Sequence, residues 1–578
     1  MPLMLGIYSK KSDIDPNEFS PVLNDFSLHG ERQAQTEIRD RIIFSSVLNS
    51  DGSQGLVKTQ DGNLSILFSG NVYDIEGKVT QLERAGHTFK DKNCEAEFIL
   101  HSFEEFGESF LKNLNGTFSF SIYNGRTNEL LIANDSFGIW PLFIFDSDEC
   151  LIFSTEYQPI IKYKKVSKLL DFDSIAEFFV FGVPLVDKTF FKNISNFHPG
   201  TIMKISPGSS SFKSYYNPSI EIDRDKNASF FAEKVADCIN KAVSIRLKKA
   251  NKKDFRLSGG ADTRLILSNI PKDIRNDLVF NTQKSPYLSE NEDRDVIISK
   301  MIASRAKLNH HIFPPLPDIK DGPEGFGSKF FEERRNFASA PPLGGWYGGE
   351  FLGGICFRIA PVQHMNIART KIQSRLRRIF SRDFLQKISD LHNSINKFSD
   401  NLDAENKELL FNIHQLTRGF FTNIYMGTRS GWNDPYSFPT RFRTVFWDKD
   451  FLETILKIPK EILFDYNLYN QLYKNHFPEF IDIPTNSLLA KRSDSCIPLM
   501  EDGIEPKAVR RHKYLRALEN YFKDPDSWEK GFYSNLFKLE MFGRVTSKKV
   551  IPRSHVENHK LVASFIDFEA WYRNYIGK

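Results

Sequence analysis

Cysteine is scarce in this chain of 578 residues, which has only 5 of them. They are widely spaced, and no two form a CxxC pair. Such an odd and scattered set excludes a disulfide framework and a zinc knuckle, and it favours a reducing compartment. No stretch reaches the ~18 to 20 uninterrupted apolar residues of a membrane-spanning helix, and the N-terminus lacks a signal-peptide pattern. We therefore expect a cytoplasmic protein without a membrane partner.

An excess of charge of either sign is lacking as well. The 77 lysines and arginines nearly balance the 73 aspartates and glutamates, which leaves a net charge of +4. This small charge does not create the basic field that attracts nucleic acids, so we expect no nucleic-acid partner. Phenylalanine, in contrast, is abundant with 53 residues. The composition indicates a soluble globular protein with large buried cores.

The pattern of apolar residues changes along the chain. Up to about residue 210, short apolar runs separated by Gly, Asn and Asp predict buried strands, with one helix near Glu95 to Phe106. From about residue 225 the spacing is helical, and it predicts a helix of about 20 residues around Phe231 and Arg246. Alternating strands and helices follow, and helices dominate after about residue 370. The sequence predicts two domains, at 1–210 and 225–578, the first β-rich and the second α/β with helical elaboration.

One segment has the features of a phosphate-binding turn. Arg256–Leu267 reads RLSGGADTRLIL and joins a short strand to an apolar helix through a glycine pair. Two glycines let backbone N–H groups converge, the hydroxyls add donors, and the positive end of the helix attracts an anion. The chain has no GxxxxGK[ST], so this is not a Walker loop; the alternative is an ordinary turn before a core helix. We assign a phosphate-binding role to Leu257, Ser258, Gly259, Gly260, Asp262, Thr263 and Arg264.

A second segment is unusually rich in glycine. Gly344–Gly354 reads GGWYGGEFLGG, with six glycines in eleven residues. This is too many for the interior of a helix or strand, and it indicates backbone that lies close to a ligand, unless the segment is a flexible surface loop. We assign Gly348 and Gly349 to ligand binding, and Glu350 and Tyr347 of the same segment are candidate catalytic groups.

Several segments, in order along the chain, resemble those of the asparagine synthetase superfamily. SGGADT at Ser258–Thr263 is similar to the SGGxD[ST] pyrophosphate loop of the ATP-pyrophosphatases, to which asparagine synthetase belongs. The other segments that resemble the family are Ser69–Asp74, Leu114–Phe120, Asn134–Leu142, Phe153–Glu156 and Val445–Leu452. Together they span nearly the whole chain.

This resemblance implies a two-domain fold of the α+β and α/β classes. The first domain is expected to be an Ntn-hydrolase-like αββα sandwich, the glutaminase (class II amidotransferase) domain of the family. The second is expected to be an ATP-pyrophosphatase domain (adenine nucleotide α-hydrolase-like) with a parallel sheet. Its implied ligands are ATP and Mg²⁺, and its implied reaction is adenylation of a carboxylate with release of AMP and pyrophosphate.

The family pattern also assigns roles to single residues, and this chain departs from it. Asp262 and Glu350 are the implied Mg²⁺ ligands. Lys491, or the arginine after it, stands where the family has a lysine that contacts the phosphates. Trp346 replaces a catalytic glutamate, and Gly349 replaces an aspartate of the second glycine-rich segment. The resemblance therefore predicts a shifted metal and base arrangement, or a protein that no longer catalyses.

Three positions of the glutaminase pattern are altered. Pro2 stands where the family has its nucleophilic cysteine, Asp74 where it has an oxyanion-supporting asparagine, and Asn93 where it has a substrate-reading aspartate. An amine without a thiol cannot form a thioester, and a carboxylate repels an oxyanion. The β-lactam synthetases, carbapenam synthetases and lasso-peptide cyclases have likewise lost the cysteine. We predict an inactive glutaminase domain.

The sequence therefore predicts an ATP-dependent amide-forming ligase. Its partners are a small-molecule or peptide carboxylate and an amine from the substrate, from free ammonia or from a partner protein. A homodimer is compatible with the sequence, which does not fix the oligomeric state. One alternative is a glutamine-hydrolysing asparagine synthetase, which requires that Pro2 and Asp74 are misaligned. Another is a catalytically dead scaffold, which the changes at Trp346 and Gly349 favour.

Overall fold

The computed structural model separates the chain into two compact units. The N-terminal unit comprises Met1–Asp171 and Val186–Pro218, and the C-terminal unit comprises Phe172–Leu185 and Ser219–Lys578. The structure describes residues 3–27, 34–47, 55–181, 184–185, 187–218, 221–248, 253–285, 288–313, 343–345, 347–353, 376–388, 413, 443–486, 488–491, 493–504, 568 and 572. Most of the region after 370 that is predicted to be helical lies outside these ranges.

The N-terminal unit is built on two six-stranded antiparallel sheets, in the orders β10-β8-β9-β1-β3-β2 and β12-β11-β7-β6-β5-β4. The strands are β1 Leu3–Ser9, β2 Ala34–Arg39, β3 Ile42–Val47, β4 Leu56–Lys58, β5 Leu64–Tyr73, β6 Asn115–Asn124, β7 Glu129–Asn134, β8 Phe143–Asp146, β9 Cys150–Ser154, β10 Ser195–Asn196, β11 Thr201–Ser206 and β12 Ser209–Ser214. The second sheet therefore continues a few residues past the predicted domain end at 210.

The two sheets pack face to face around one apolar core. Because side chains alternate between the two faces of a strand, Leu67 of β5 points into this core, while its neighbours Ile66 and Phe68 face the other side. Phe44 and Phe153 of the first sheet meet the second sheet in the same core. Since both faces of β5 are covered, Ile66, Leu67 and Phe68 are apolar in succession, as the sequence analysis expected of a buried strand.

Helices cover the outer faces of both sheets. They are α1 Ser20–Ser27, α2 Glu76–Arg84, α3 Glu95–Phe106 and α4 Tyr157–Ile160. The helix predicted near Glu95 to Phe106 is confirmed as α3. Helices α2 and α3 bury Val79, Leu82 and Ile99 against the second sheet, and α1 and α4 lie against β3 and β9 of the first. The layers follow the predicted αββα order.

The C-terminal unit contains a five-stranded sheet in the order β15-β14-β13-β16-β17, and all of its pairs are parallel. The strands are β13 Lys253–Arg256, β14 Leu278–Gln283, β15 His310–Phe313, β16 Leu343–Gly344 and β17 Arg443–Thr444. The first strand in sequence therefore lies in the middle, as in a doubly wound sheet.

The described helices of the C-terminal unit are α5 Phe172–Phe181, α6 Ala228–Lys248, α7 Ala261–Ser268, α8 Arg294–Ala306, α9 Gly348–Leu352, α10 Arg382–Gln386, α11 Lys449–Ile455, α12 Lys460–Leu463 and α13 Asn467–Asn475. The 21 residues of α6 confirm the predicted helix of about 20. Asp448 accepts from the Asp450 N–H at 3.1 Å as the N-cap of α11, and its other oxygen lies 2.8 Å from the guanidinium of Arg246. Among the described residues, no helix has the length and hydropathy to cross a membrane.

Candidate functional site

Two loops meet at the point where the order of the parallel sheet reverses. The chain leaves β13 toward β14 on one side, and β16 lies on the other side. Because the strands are parallel, the loops after β13 and β16 start at the same edge of the sheet. Ligands of open parallel sheets bind in the crevice at such a point. Both segments that the sequence analysis singled out, Ser258–Thr263 and Gly344–Gly354, begin here.

The turn after β13 is held together by its own hydroxyl groups. Ser258 Oγ accepts from the Gly260 N–H at 3.2 Å and lies 3.2 Å from Thr263 Oγ1. Leu257 is buried, and its N–H donates to the Asn281 carbonyl at 2.9 Å, so it contributes to the turn through its backbone. Gly260 is the N-cap of α7 and makes no side-chain cap. The positive end of α7 therefore faces this turn.

Distant segments of the unit also hold the turn. The Gly259 N–H donates to Asp295 Oδ1 of α8 at 3.1 Å, and the same oxygen accepts from Asn486 Nδ2 at 2.7 Å. The Gly259 carbonyl accepts from Thr485 Oγ1 at 2.7 Å, and Thr485 is fully buried. Helix α8 and the segment around Thr485 therefore fix the conformation of the glycine pair.

The second loop packs directly on Asp262 in the first turn of α7. A Cβ atom at Gly345 would lie 3.0 Å from the Asp262 Cβ, and one at Gly348 would lie 2.7 Å from the Asp262 Cγ. Only glycine therefore fits at Gly348 without a shift of its neighbours. A Cβ at Gly349 would lie 3.7 Å from both carboxylate oxygens of Asp262. The structure thus brings Asp262, Gly348 and Gly349 together.

Two tyrosines of α13 complete this side of the site. The Tyr469 hydroxyl donates to Asp262 Oδ1, and the Tyr473 hydroxyl donates to the Ala261 carbonyl. Burial raises the pKa of both phenols far above the ordinary value, so both remain protonated donors. The sequence analysis did not identify them. The signal that could have identified them is their spacing of four residues, which places both on one face of a helix.

Arg264 does not lie where its assignment to phosphate binding requires. Its side chain is 0% exposed, and its guanidinium donates to the carbonyls of Gly259, Phe480, Ile483 and Pro484. Burial lowers its pKa to about 10, which still leaves it protonated at neutral pH. Its geometry supports positioning of the turn through the Gly259 carbonyl instead of direct contact with a phosphate.

The remaining predicted residues lie near the second loop or beyond it. Tyr347 precedes α9 with a φ of 69°, a left-handed conformation that is strained for a tyrosine. Glu350 lies in the first turn of α9 and is partly buried. Lys491 ends the short 3₁₀ helix Leu488–Lys491 and is exposed. Trp346 is outside the described residues.

The altered glutaminase positions belong to the N-terminal unit. Asp74 follows β5, is exposed and has a φ of 57°, and Asn93 is an exposed residue before α3. Pro2 lies outside the described residues. Burial raises the pKa of the Cys94 thiol to about 11, and it raises the pKa of the Cys150 thiol as well. Neither thiol is a ready thiolate nucleophile at neutral pH.

Comparison with known proteins gives matches to amidotransferases and their relatives. A family model described as "Glutamine amidotransferase domain" matches residues 39–216. This match agrees with the two-sheet architecture of the N-terminal unit.

Two curated relatives come from Bacillus subtilis (strain 168). "Asparagine synthetase [glutamine-hydrolyzing] 3" is 26% identical over 220 residues, which are 37% of this chain and 35% of the relative. "Asparagine synthetase [glutamine-hydrolyzing] 1" is 24% identical over 277 residues, which are 46% of this chain and 43% of the relative. The chain thus spans less than half the length of these relatives.

One solved structure is the glutamine phosphoribosylpyrophosphate amidotransferase of B. subtilis, complexed with ADP and GMP. The two chains are 15% identical, and the match covers 44% of this chain and 60% of the other, with a TM-score of 0.27. A score this low carries no argument about the fold.

Proposed function

We propose that this chain belongs to the asparagine synthetase family and is an ATP-dependent ligase that forms an amide bond by adenylating a carboxylate. One observation carries the proposal. The Ser258–Thr263 turn and the loop after β16 converge on Asp262, at the switch point of a parallel sheet. This is the place where a nucleotide fits such a sheet, with its phosphates at the N-terminal end of α7.

The reaction converts a poor leaving group into a good one. A carboxylate oxygen attacks the α-phosphorus of ATP, the bond to the bridging oxygen breaks, and pyrophosphate leaves. An amine nitrogen then attacks the acyl carbon, its proton passes to a base, and AMP leaves. In this chain the turn would hold and orient the phosphates, which is the main requirement of phosphoryl transfer. Glu350 on the second loop is the proposed group that accepts the proton, and the Tyr347 hydroxyl could relay it by giving up its own proton as it takes the amine's.

The donor set around Asp262 suits Mg²⁺. Asp262 offers a carboxylate beside glycines that add no side chain to the space next to it, and Mg²⁺ prefers oxygen ligands of this kind. Asp262 and Glu350 would hold the ion, which would neutralise negative charge on the phosphates. The Tyr469 hydroxyl orients Asp262 by donating to Oδ1.

We further propose that the N-terminal unit does not hydrolyse glutamine. Two features support this proposal: Pro2 stands where the family pattern has its nucleophilic cysteine, and burial raises the pKa of the Cys94 and Cys150 thiols. Asp74 adds an exposed carboxylate where the family pattern has an amide. The amine then comes from the acceptor substrate, from free ammonia or from a partner protein.

Calorimetric titration with ATP and Mg²⁺ tests the nucleotide site without knowledge of the acid. Asp262→Asn keeps an oxygen for Tyr469 but removes the charge, so it should fold and yet bind MgATP at least about 10-fold more weakly. ATP–pyrophosphate exchange, assayed with aspartate and a panel of other acids and peptides, should fall about 1,000-fold. The control Asp273→Ala removes an exposed carboxylate of the same unit that makes no side-chain cap. It should behave like the unaltered chain.

The two alternatives give different results in the same assays. The ligase proposal would be contradicted if the chain bound no MgATP, or if the Asp262→Asn variant bound it equally well. The scaffold hypothesis would then remain. Release of glutamate from glutamine at a rate that matches ATP use would instead favour a glutamine-hydrolysing asparagine synthetase.

A further inference from the structure

Two histidines and a glutamate converge on the surface of the N-terminal unit, outside every segment used above. His87 lies in the connection between α2 and α3, while His101 and Glu104 lie on α3. The His87 and His101 side chains are 17% and 14% exposed, and that of Glu104 is 32% exposed. Among the described residues, this is the group of three or more His, Cys, Asp or Glu side chains whose ligand atoms lie close enough to share one ion.

The distances between the three atoms match those around a bound metal ion. His87 Nδ1 lies 3.2 Å from His101 Nδ1, His101 Nδ1 lies 2.8 Å from Glu104 Oε2, and His87 Nδ1 lies 3.9 Å from the same Oε2. The point equidistant from the three atoms lies about 2.0 Å from each of them. Zinc binds histidine nitrogen and carboxylate oxygen at roughly 2.0 to 2.2 Å.

The other nitrogen of each ring faces a carboxylate. His87 Nε2 lies 3.1 Å from Glu105 Oε2, and His101 Nε2 lies 3.8 Å from Glu97 Oε1. Carboxylates behind histidine ligands are typical of metal sites.

We propose that His87, His101 and Glu104 form a Zn²⁺ site in the N-terminal unit. Two imidazoles and one carboxylate suit zinc and do not suit Mg²⁺, which prefers oxygen ligands. Three protein ligands leave a fourth position, which water can fill on the exposed side of Glu104. The ion ties the connection between α2 and α3 to the surface of α3.

The site is tested on the full chain, stripped with a chelator, dialysed and titrated with ZnCl₂ in the presence of millimolar Mg²⁺. One Zn²⁺ per chain should bind in excess of any background. His87→Ala and His101→Ala should each weaken this binding at least about 100-fold, and Glu105→Gln should weaken it roughly 10-fold. Zn²⁺ should also raise the melting temperature of the unaltered chain, but not that of His101→Ala.

The matched control is His198→Ala. His198 belongs to the same unit and also lies beside a carboxylate, 3.5 Å from Asp187 Oδ2, yet it is outside the cluster. Its replacement should leave the affinity and the melting shift unchanged. Co²⁺ gives an independent readout, because its visible spectrum reports nitrogen ligands, and the spectrum should be lost in His101→Ala. Equal Zn²⁺ binding by the unaltered chain and the two cluster variants would overturn the proposal, and so would no binding above background.

Discussion

A turn in each unit of this molecule gathers backbone N–H groups around oxygen atoms. In the N-terminal unit, the turn after β7 wraps around Asp135, whose side chain is fully buried. Its carboxylate accepts at 2.8 to 3.2 Å from the N–H groups of Phe118, Phe137, Ile139 and Trp140. All of these partners lie within 17 residues of Asp135 in sequence.

In the C-terminal unit, the turn after β13 depends on partners that are far away in sequence. Asp295, which binds the Gly259 N–H, is 36 residues away, and Thr485, which binds the Gly259 carbonyl, is 226 residues away. Asp262 and Ser258 remain partly exposed. The first turn is a closed local structure, and the second is assembled from several segments and left open on one side.

This difference separates a structural turn from a candidate binding turn. A carboxylate whose hydrogen bonds are all internal and which no solvent reaches can stabilise the fold but cannot meet a ligand. A turn held from behind by other segments can keep its shape while its front stays accessible, which is what a preformed site requires. Changes at the first turn should therefore reduce stability, and changes at the second should reduce ligand binding more than stability.

The largest expected effect on stability follows from Asp135→Asn. The asparagine amide has one acceptor oxygen, whereas the carboxylate has two. Some of the four N–H groups therefore lose their hydrogen-bond partner while they remain buried. The free energy of unfolding should fall by about 3 kcal/mol, since each unsatisfied buried donor costs roughly 1 to 3 kcal/mol. Urea denaturation measures it. The control Asp146→Asn, at an exposed ion pair with Lys10, should change stability by less than about 1 kcal/mol. An equal loss in both variants would break the comparison.

Local sequence signals were enough to find the local parts of the turn after β13 and of the glycine-rich loop after β16. The residues around Ser258 predicted a turn between a strand and a helix, and the glycines after Gly344 predicted close approach of backbone. The apolar runs and the helix Glu95–Phe106 were likewise confirmed. Each of these rests on neighbours in the chain, whose periodicity and turn chemistry are readable without coordinates.

The long-range contacts could not be predicted. Tyr469 and Thr485 contact the turn across 207 and 226 residues, and Asn486 contacts Asp295 behind it across 191 residues. No local pattern records such pairings. The burial of Arg264 could not be predicted for a related reason. Its position in an apolar helix did not tell which side of α7 packs against Pro484, and a buried arginine paired with carbonyls is rare.

The comparison is sharpened by Thr485→Val, which has nearly the same shape. It removes the donor to the Gly259 carbonyl, and one neutral hydrogen bond is worth about 1 kcal/mol. Because the turn is assembled by such contacts, MgATP affinity should also fall, by a factor of about 5 to 10. Urea denaturation and calorimetric titration measure the two effects. Thr454→Val, which loses a bond to the Asp450 carbonyl within α11, should leave MgATP affinity unchanged.

The smallest effect concerns His310 of β15, which β14 separates from the strand before the turn. Burial lowers its pKa to about 4, and its Nε2 lies 2.8 Å from Thr282 Oγ1. The unfolded chain, with an ordinary pKa near 6.5, therefore binds a proton between pH 6.5 and 4 that the folded chain does not. The contribution of His310 to the free energy of unfolding is fully present above pH 6.5 and is lost as the pH falls toward 4.

Replacement of His310 by asparagine keeps a hydrogen-bonding group near Thr282 but removes the titration. Between pH 7 and 5.5 the unaltered chain should lose about 0.5 kcal/mol more unfolding free energy than His310→Asn, a value reduced for solvent screening of a partly exposed ring. Urea denaturation at the two pH values measures the difference. If the two chains lost the same unfolding free energy, the protonation of His310 would not destabilise the fold. The prediction would then be wrong.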